Sequence, residues 1–399
     1  MKNSGQRAFF IPWFLALALG LLANPSAFLL LLLLPLNASA EVPSFIPHVI
    51  ADDVPYANSV FAADMDGDGD VDALSASRND DKIAWYENNG TGSFTKHVIT
   101  SSADGAWNVY ATDLDGDGDM DALSASYMDD TVAWYENDGS ENFTKHVITS
   151  SADAAWSVYA IDVDGDGDLD VLSASRDDDT VAWYENDGSE NFTTRAIATS
   201  APDAASVYAI DVDGDGDVDA MSASYSDDTV AWYENDGNEN FTKHVVTTTA
   251  NGAWSVYAVD LDGDGDVDLL SASENDDTVA WYENDGSENF TKRAITTSAN
   301  EAWHVYAIDL DADGDVDVLS ATRVGNTIAW YENDGSENFT SHVVTDSIDG
   351  GKSVYAADMD GDGHLDVLSA SRNDNTIAWY ENNSTAPVPP PALTDANFT

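Results

Sequence analysis

From Phe45 onwards the chain alternates short apolar runs with polar turns. One stretch shows the pattern: Ser157–Ile161 (SVYAI), Asp170–Ser175 (DVLSAS), Thr180–Asn186 (TVAWYEN) and Asn191–Thr199 (NFTTRAIAT). Between the runs lie an aspartate-rich loop, Arg176-Asp-Asp-Asp179, Asp187-Gly-Ser-Glu190 and Ser200-Ala-Pro-Asp-Ala-Ala205. Runs rich in β-branched and aromatic residues, bounded by Gly, Asp, Asn, Ser and Pro, predict strands joined by tight turns. No useful stretch with a 3.6-residue period follows Glu41, so the pattern predicts strands without helices.

The four-strand unit recurs. Its aspartate loop begins at Asp64, Asp113, Asp162, Asp211, Asp260, Asp309 and Asp358, each step being 49 residues with no net insertion or deletion. A fixed period of this size marks a repeat architecture in which each unit buries its faces against its neighbours. Seven units of four strands predict an all-β, seven-bladed β-propeller. The ends carry a further expectation. Phe45–Ala51 (FIPHVIA) matches the fourth strand of the next unit, Phe94–Thr100 (FTKHVIT), while the last unit stops after its third strand, Asn375–Asn382. The N-terminal strand is therefore expected to complete the last blade and close the ring, leaving no open edge between the ends.

Composition adds the surroundings. With 14 Lys plus Arg against 74 Asp plus Glu, the formal charge is −60, which argues against nucleic acid and anionic membranes as partners. The aromatic content, including 12 Trp, favours a packed fold over disorder. The absence of Cys excludes disulfides. Residues 1–40 differ from the rest: Lys2 and Arg7 precede an apolar stretch from Ala8 to Leu36, and Ala38-Ser39-Ala40 offers a small-x-small cleavage pattern. This reads as a secretory signal, with an uncleaved membrane anchor as the alternative, and either places the rest outside the cytoplasm. The expected organisation is a signal at 1–40, the propeller at 41–385 and a Pro-rich tail at 386–399.

The aspartate loops are the strongest candidate for chemistry. Their alternate positions are Asp64, Asp66, Asp68, Asp70 and Asp72 in the first copy, and Asp113, Asp115, Asp117, Asp119 and Asp121 in the second. The third has Asp162, Asp164, Asp166, Asp168 and Asp170, and the fourth Asp211, Asp213, Asp215, Asp217 and Asp219. The fifth has Asp260, Asp262, Asp264, Asp266 and Asp268, the sixth Asp309, Asp311, Asp313, Asp315 and Asp317, and the seventh Asp358, Asp360, Asp362, His364 and Asp366. The pattern D-x-D-x-D-G-x-x-D matches the first nine positions of an EF-hand calcium loop, in which carboxylates at 1, 3 and 5 converge because the glycine at 6 turns the backbone. Position 7 offers its carbonyl and position 9 a last carboxylate. Position 12, Glu in an EF-hand, is Ser173 here, so a calcium-binding strand-to-strand loop is expected in place of an EF-hand. The copies differ where that reading allows it, at His364 (position 7) and Ala312 (position 4), whereas the glycine at position 6 never varies. About seven structural Ca2+ ions are expected; Mg2+ fits less well because it holds its water.

An aspartate loop between the first two strands of a propeller blade resembles the FG-GAP/VCBS repeat family, typified by the head of integrin alpha subunits. The resemblance covers Phe45–Asn383. It implies a calcium-binding propeller and an extracellular recognition or adhesion role, with a glycan or a cell-surface protein as partner.

The Trp of each Ala-Trp-Tyr-Glu-Asn segment, from Trp85 to Trp379, repeats in all seven copies, and it reads as core with its Tyr neighbour pointing the opposite way. Ligand asymmetry is expected where copies differ, on the face opposite the aspartate loops. One position there reads Arg78, Tyr127, Arg176, Tyr225, Glu274, Arg323, Arg372; another reads Asn58, Trp107, Trp156, Ala205, Trp254, Trp303, Lys352. The candidate ligand-binding residues are Trp107, Trp156, Trp254, Trp303, Arg78, Arg176, Arg323 and Arg372, since guanidinium and exposed indole suit carboxylate, sulfate and sugar; packing and local ion pairing are the alternative. His304 stands where other copies have Ser or Asn, and is the candidate for acid–base work. The His or Arg series from His48 to His342 on the outermost strand reads as charge balance and edge protection. Sequons at Asn89, Asn142, Asn191, Asn240, Asn289, Asn338, Asn382, Asn383 and Asn397 offer glycan attachment or simply turn chemistry. No G-x-S-x-G, H-E-x-x-H or comparable nucleophile–base motif occurs, so a monomeric, secreted binding module is expected before an enzyme. A polysaccharide lyase or hydrolase, and a repeat scaffold in a surface assembly, are the alternatives.

Overall fold

The computed structural model describes residues 43–384; the signal at 1–40, the Pro-rich tail at 386–399 and the sequon at Asn397 lie outside the described residues. Twenty-eight strands form seven antiparallel sheets of four, one per blade. Blade 3 consists of Ala155–Ile161, Asp170–Ser175, Thr180–Asn186 and Phe192–Ala198, running from innermost to outermost. Blade 7 takes Gly351–Ala357, Asp366–Ser371 and Thr376–Asn382 from the C-terminal end. Its outermost strand is Phe45–Ala51, paired antiparallel from Phe45 opposite Asn382 to Ala51 opposite Ile377. The ring is a closed seven-bladed propeller, as its sequence ends anticipate.

Packing between blades explains the repeated residues. The second strand of every blade is buried along its whole length. On the third strand Trp and Tyr serve opposite neighbours: Trp85 packs with Val109 and Tyr135 of blade 2, while Tyr86 packs with Trp379 of blade 7. Trp183 and Trp330 retain no exposed surface. Each buried phenol finds a partner on the adjacent strand, as Tyr184 does with Ser173 Oγ at 3.0 Å. The Asn ending this strand stitches blades together; Asn137 Nδ2 donates to Met65 O of blade 1 at 3.0 Å.

The innermost strands carry a feature absent from simple alternation. Each has a bulge, with register shifts at Ala57/Ser59, Ala106/Asn108, Ala155/Ser157, Ala204/Ser206, Ala253/Ser255, Ala302/His304 and Gly351/Ser353. The residue inside each bulge loses its cross-strand partner, and its side chain is re-aimed. Further along the same strands, Phe61, Tyr110, Tyr159, Tyr208, Tyr257, Tyr306 and Tyr355 form a closed ring of aromatics around the axis, neighbouring centroids lying 4.7–5.2 Å apart. Burial raises the Tyr159, Tyr257 and Tyr306 phenols well above their usual range, so they stay neutral donors.

Candidate functional sites: the acidic loops and the axial mouth

Each acidic loop is wound by its own carboxylates. In blade 3, Asp162 accepts the Gly165 and Gly167 N–H groups at 2.8 and 3.0 Å, and Asp166 accepts the Asp168 N–H at 3.0 Å. Gly167 at position 6 takes φ +99°, which a side chain would strain. Position 4 is also left-handed: Gly165 has φ 74°, and Ala312 of blade 6 is held at φ 60°. Asp170 at position 9 is buried and anchors the loop, accepting Val163 N–H at 3.0 Å and Asn186 N–H at 2.8 Å.

Carboxylate oxygens of positions 1, 3 and 9 lie within 4.8 Å of one another in the first four blades: Asp64, Asp66 and Asp72; Asp113, Asp115 and Asp121; Asp162, Asp164 and Asp170; Asp211, Asp213 and Asp219. Burial pushes the position-9 carboxyls up to about 7, and that of Asp317 to about 8, against the opposing pull of two backbone N–H groups. Burial, with the like charges at positions 1 and 5, also raises Asp66, Asp115, Asp213, Asp262 and Asp360 at position 3. Asp311 reaches about 7. Asp113 Oδ1 and Asp311 Oδ2 are buried without a hydrogen-bond partner. Hard oxygen donors, crowded, partly dehydrated and short of partners, fit a divalent cation.

The position-7 carboxylate behaves differently. Asp70, Asp119, Asp168, Asp217, Asp266 and Asp315 lie against the glycine of the turn before the outermost strand, where a Cβ on Gly90, Gly139, Gly188, Gly237, Gly286 or Gly335 would collide with them. Blade 7 has His364 at position 7 and Ser384 where the other blades have that glycine. His364 keeps the backbone role, donating its N–H to Asp362 at 2.8 Å. The aspartate side chain at this position therefore packs against a turn.

At the opposite end, the seven bulge residues meet over the axis. Trp107 stacks on Trp156 at 5.0 Å, Trp156 on Trp254 at 4.6 Å across the small Ala205, and Trp254 on Trp303 at 3.9 Å. Lys352 Nζ sits 3.0 Å from the centroid of Trp303 and 5.2 Å from that of Trp107. The guanidiniums surround this pile: Arg78 lies 5.3 Å from Trp107, Arg176 4.8 Å from Trp156, Arg323 5.1 Å from Trp303, and Arg372 4.7 Å from Tyr56. Two expectations need correcting. The indoles are not freely exposed, for Trp156 and Trp303 retain only 6% and 8% of their surface and Trp107 and Trp254 are half-buried. His304 is half-buried with its Nδ1 enclosed and unpartnered, and desolvation lowers it to about 4 and keeps it neutral. The first correction follows from the bulge, which re-aims the indoles; His304 itself remains paired with Ala321 on the adjacent strand.

The comparisons with known proteins bear on the repeat. The FG-GAP-like repeat family matches in seven overlapping stretches, residues 64–124, 113–173, 162–222, 211–271, 260–320, 309–369 and 358–399. The chain belongs to the FG-GAP repeat family. No curated protein matches it. Among solved structures, a streptogramin B lyase is 12% identical with a TM-score of 0.61, covering 86% of this chain and 99% of that one. BBS1N in complex with ARL6DN, soaked with lead, is 11% identical with a TM-score of 0.62, covering 88% and 99%. The same complex soaked with mercury gives 11%, 0.61, 87% and 98%. At such identities the likeness concerns fold alone.

Two other series in this FG-GAP protein take definite roles. The imidazole of His97 stacks on Trp85 at 4.6 Å and its Nε2 meets Glu87 at 2.8 Å, an arrangement repeated at His48, His146, His244 and His342. Arg195 and Arg293 substitute for it over Trp183 and Trp281. The five sequon side chains Asn142, Asn191, Asn240, Asn289 and Asn338 donate Nδ2 to the aspartate four residues earlier, at 3.0–3.2 Å, which is turn chemistry. Sequence reasoning passed over the tyrosine ring and did not count Lys352 or Asn58 among the ligand candidates. The available signal was Tyr at one position in six copies, and a cation and an amide in a series otherwise made of Trp and Ala.

Proposed function

We propose that this FG-GAP protein is a secreted, calcium-stabilised recognition module that binds an extracellular glycan or a cell-surface protein at the axial mouth. The observation carrying the reading is the contrast within the repeat. Seven acidic loops are nearly identical, whereas the seven bulge positions read Asn, Trp, Trp, Ala, Trp, Trp, Lys and converge. A seven-fold feature serves the scaffold, and an asymmetric convergence of aromatic and cationic groups suits a ligand.

In each loop the carboxylates of positions 1, 3 and 9 would hold the ion. Calcium would neutralise them and favour their ionised forms. The chain itself supplies the loop wound on the position-1 carboxylate and the position-9 anchor to the third strand. With each of seven sites loaded to about tenfold above its dissociation constant, linkage contributes about 1.4 kcal/mol per site, or about 10 kcal/mol in all. Binding is favoured over catalysis because, among the described residues, no acidic or basic partner is seen against His304, the acid–base candidate, whose Nδ1 is unpartnered. The deciding experiment is a glycan array probed with the calcium-loaded protein and with Trp107→Ala and Trp254→Ala. Retained binding by both variants would exclude the mouth, and an array without signal, together with no binding to cell surfaces, would exclude recognition.

A further inference from the structure

Three cations at the axial mouth stand apart from the charge balance of the molecule. The chain carries 74 carboxylates, yet among the described residues Lys352, Arg78 and Arg372 form no ion pair; Lys145, Lys243 and Lys292 form none either, but each donates to a backbone carbonyl. Lys352 is 2% exposed and its Nζ has no hydrogen-bond partner. Beside it on blade 1, Asn58 is 6% exposed with both Oδ1 and Nδ2 unpartnered. His304 Nδ1 on blade 6 and Arg78 Nε on blade 1 are likewise buried and unpartnered. These groups occupy three consecutive blades, 6, 7 and 1, in the closed ring.

In the other blades the position of His304 is satisfied. The Ser or Asn equivalent to His304 accepts an N–H from the following blade, as Ser157 does from Val207 at 3.3 Å and Asn108 from Val158 at 3.1 Å. Arg323 is neutralised by Glu274 and Glu301. The indoles around Lys352 offset only part of its lost hydration, and a buried ammonium without an anion, like buried amide atoms without partners, is costly to keep. Burial above all, and then the Arg372, Arg323 and Arg78 charges, disfavour the Lys352 ammonium, with Glu274 as the opposing charge. An anion arriving at this point would relieve all of these groups together. The half-buried Trp107 and Trp254 leave apolar edges beside these groups, against which the C–H surface of a sugar ring can pack.

We propose that the mouth around Lys352, Asn58, Arg78 and His304 is an oxyanion site, and that the ligand is an acidic saccharide whose carboxylate or sulfate ester seats there while its ring lies on the indoles. This deepens the recognition reading above and rests on it. Lys352 and Arg78 supply the charge, Asn58 Nδ2 donates a hydrogen bond, and Trp107 and Trp254, the half-buried pair, offer their exposed edges to the ligand.

The test uses the calcium-loaded full chain and follows tryptophan emission, backed by calorimetry, with three pairs of probes: oligogalacturonate against its carboxyl-reduced form, a sulfated galactan against the desulfated one, and sodium sulfate against sodium chloride at equal ionic strength. The acidic member of at least one saccharide pair should bind at least about tenfold more tightly than its neutral counterpart, with sulfate competing. Lys352→Met and Arg78→Gln should each weaken that binding by about tenfold or more while the melting temperature holds or rises, since a charge without a partner has been removed. The carboxylate and sulfate arms separate the two sources. Equal binding of acidic and neutral members, or unchanged affinity in both variants, overturns the oxyanion site even if the array shows Trp107-dependent recognition of something else. A response to sulfate that Lys352→Met abolishes, with no saccharide bound, preserves the oxyanion site and defeats glycan recognition.

Discussion

The two ends of the propeller are made by the same seven blades and obey different rules. At the acidic end, each loop closes on itself: Asp162 caps its own turn and Asp170 ties that turn to the third strand of its own blade. Geometry solved once is copied seven times. At the mouth no blade is complete alone. Trp156 finds its stacking partner two blades away, and Lys352 reaches indoles on blades 2, 5 and 6. The aromatic ring beneath shows that one large side chain can repeat around the axis; at the mouth the indoles instead stack on one another, and the small Ala205 lets Trp156 reach Trp254. Local closure copies one solution into every blade, whereas the mouth is a single asymmetric cluster built from several blades.

The sharpest way to break this comparison is to remove the ions. Stripping calcium with a chelator should lower the thermal midpoint by about 15 degrees, since about 10 kcal/mol of lost linkage acts against an unfolding entropy of about 0.7 kcal/mol/K for a propeller of this size. An unchanged midpoint in calorimetry would mean the acidic loops stand without a cation.

The next effect is the pH dependence of the metal-free protein. The position-9 carboxyls titrate near 7 when folded, well above the ordinary 3.8. The folded state thus binds more protons than the unfolded one between those values, so stability is complete below about 4 and is lost as pH rises through 7. In chelator the midpoint should fall from pH 5 to pH 8. In millimolar calcium, which requires the ionised forms, the trend should flatten or reverse. Melting curves across that range decide it.

Single substitutions sharpen the picture within one loop. Asp170→Ala should cost about 3 kcal/mol because two buried N–H groups lose their acceptor. Asp168→Ala should cost about 0.5 kcal/mol and leave calcium affinity nearly unchanged, since that side chain packs on Gly188. Urea unfolding and calcium titration measure both; equal losses would restore position 7 to the ligand set. At the mouth the sign inverts: Lys352→Met should stabilise by about 1 kcal/mol, because an unpaired buried amine is replaced by an apolar side chain of similar length. A loss of stability there would show that Lys352 is already satisfied.

Much of this was legible in the chain. Strand positions follow from short β-rich runs between turns, and the strand ends differ from expectation by one or two residues, as at Ala155. Ring closure was legible because the first strand matches a fourth strand and the last unit lacks one. The aspartate pattern was legible as a pattern, although the division of labour among its members was not. Asp70 and its equivalents contact a glycine 20 residues on, and that pairing exists only because both turns reach the same end of the blade.

By itself the sequence determined blade number, closure and the presence of seven loops wound on aspartate, because each depends on interactions within about fifty residues or on a strict period. Only the tertiary structure decided that the bulge residues leave the alternating pattern and meet on the axis, that a phenylalanine and six tyrosines form a ring beneath them, and that Lys352 and Asn58 are buried without partners. Those outcomes bring together residues from different blades, 49 positions apart for Trp107 and Trp156 and 98 for Trp156 and Trp254, in one space. A bulge sets side-chain direction through backbone geometry, which a pattern of apolar and polar letters does not record.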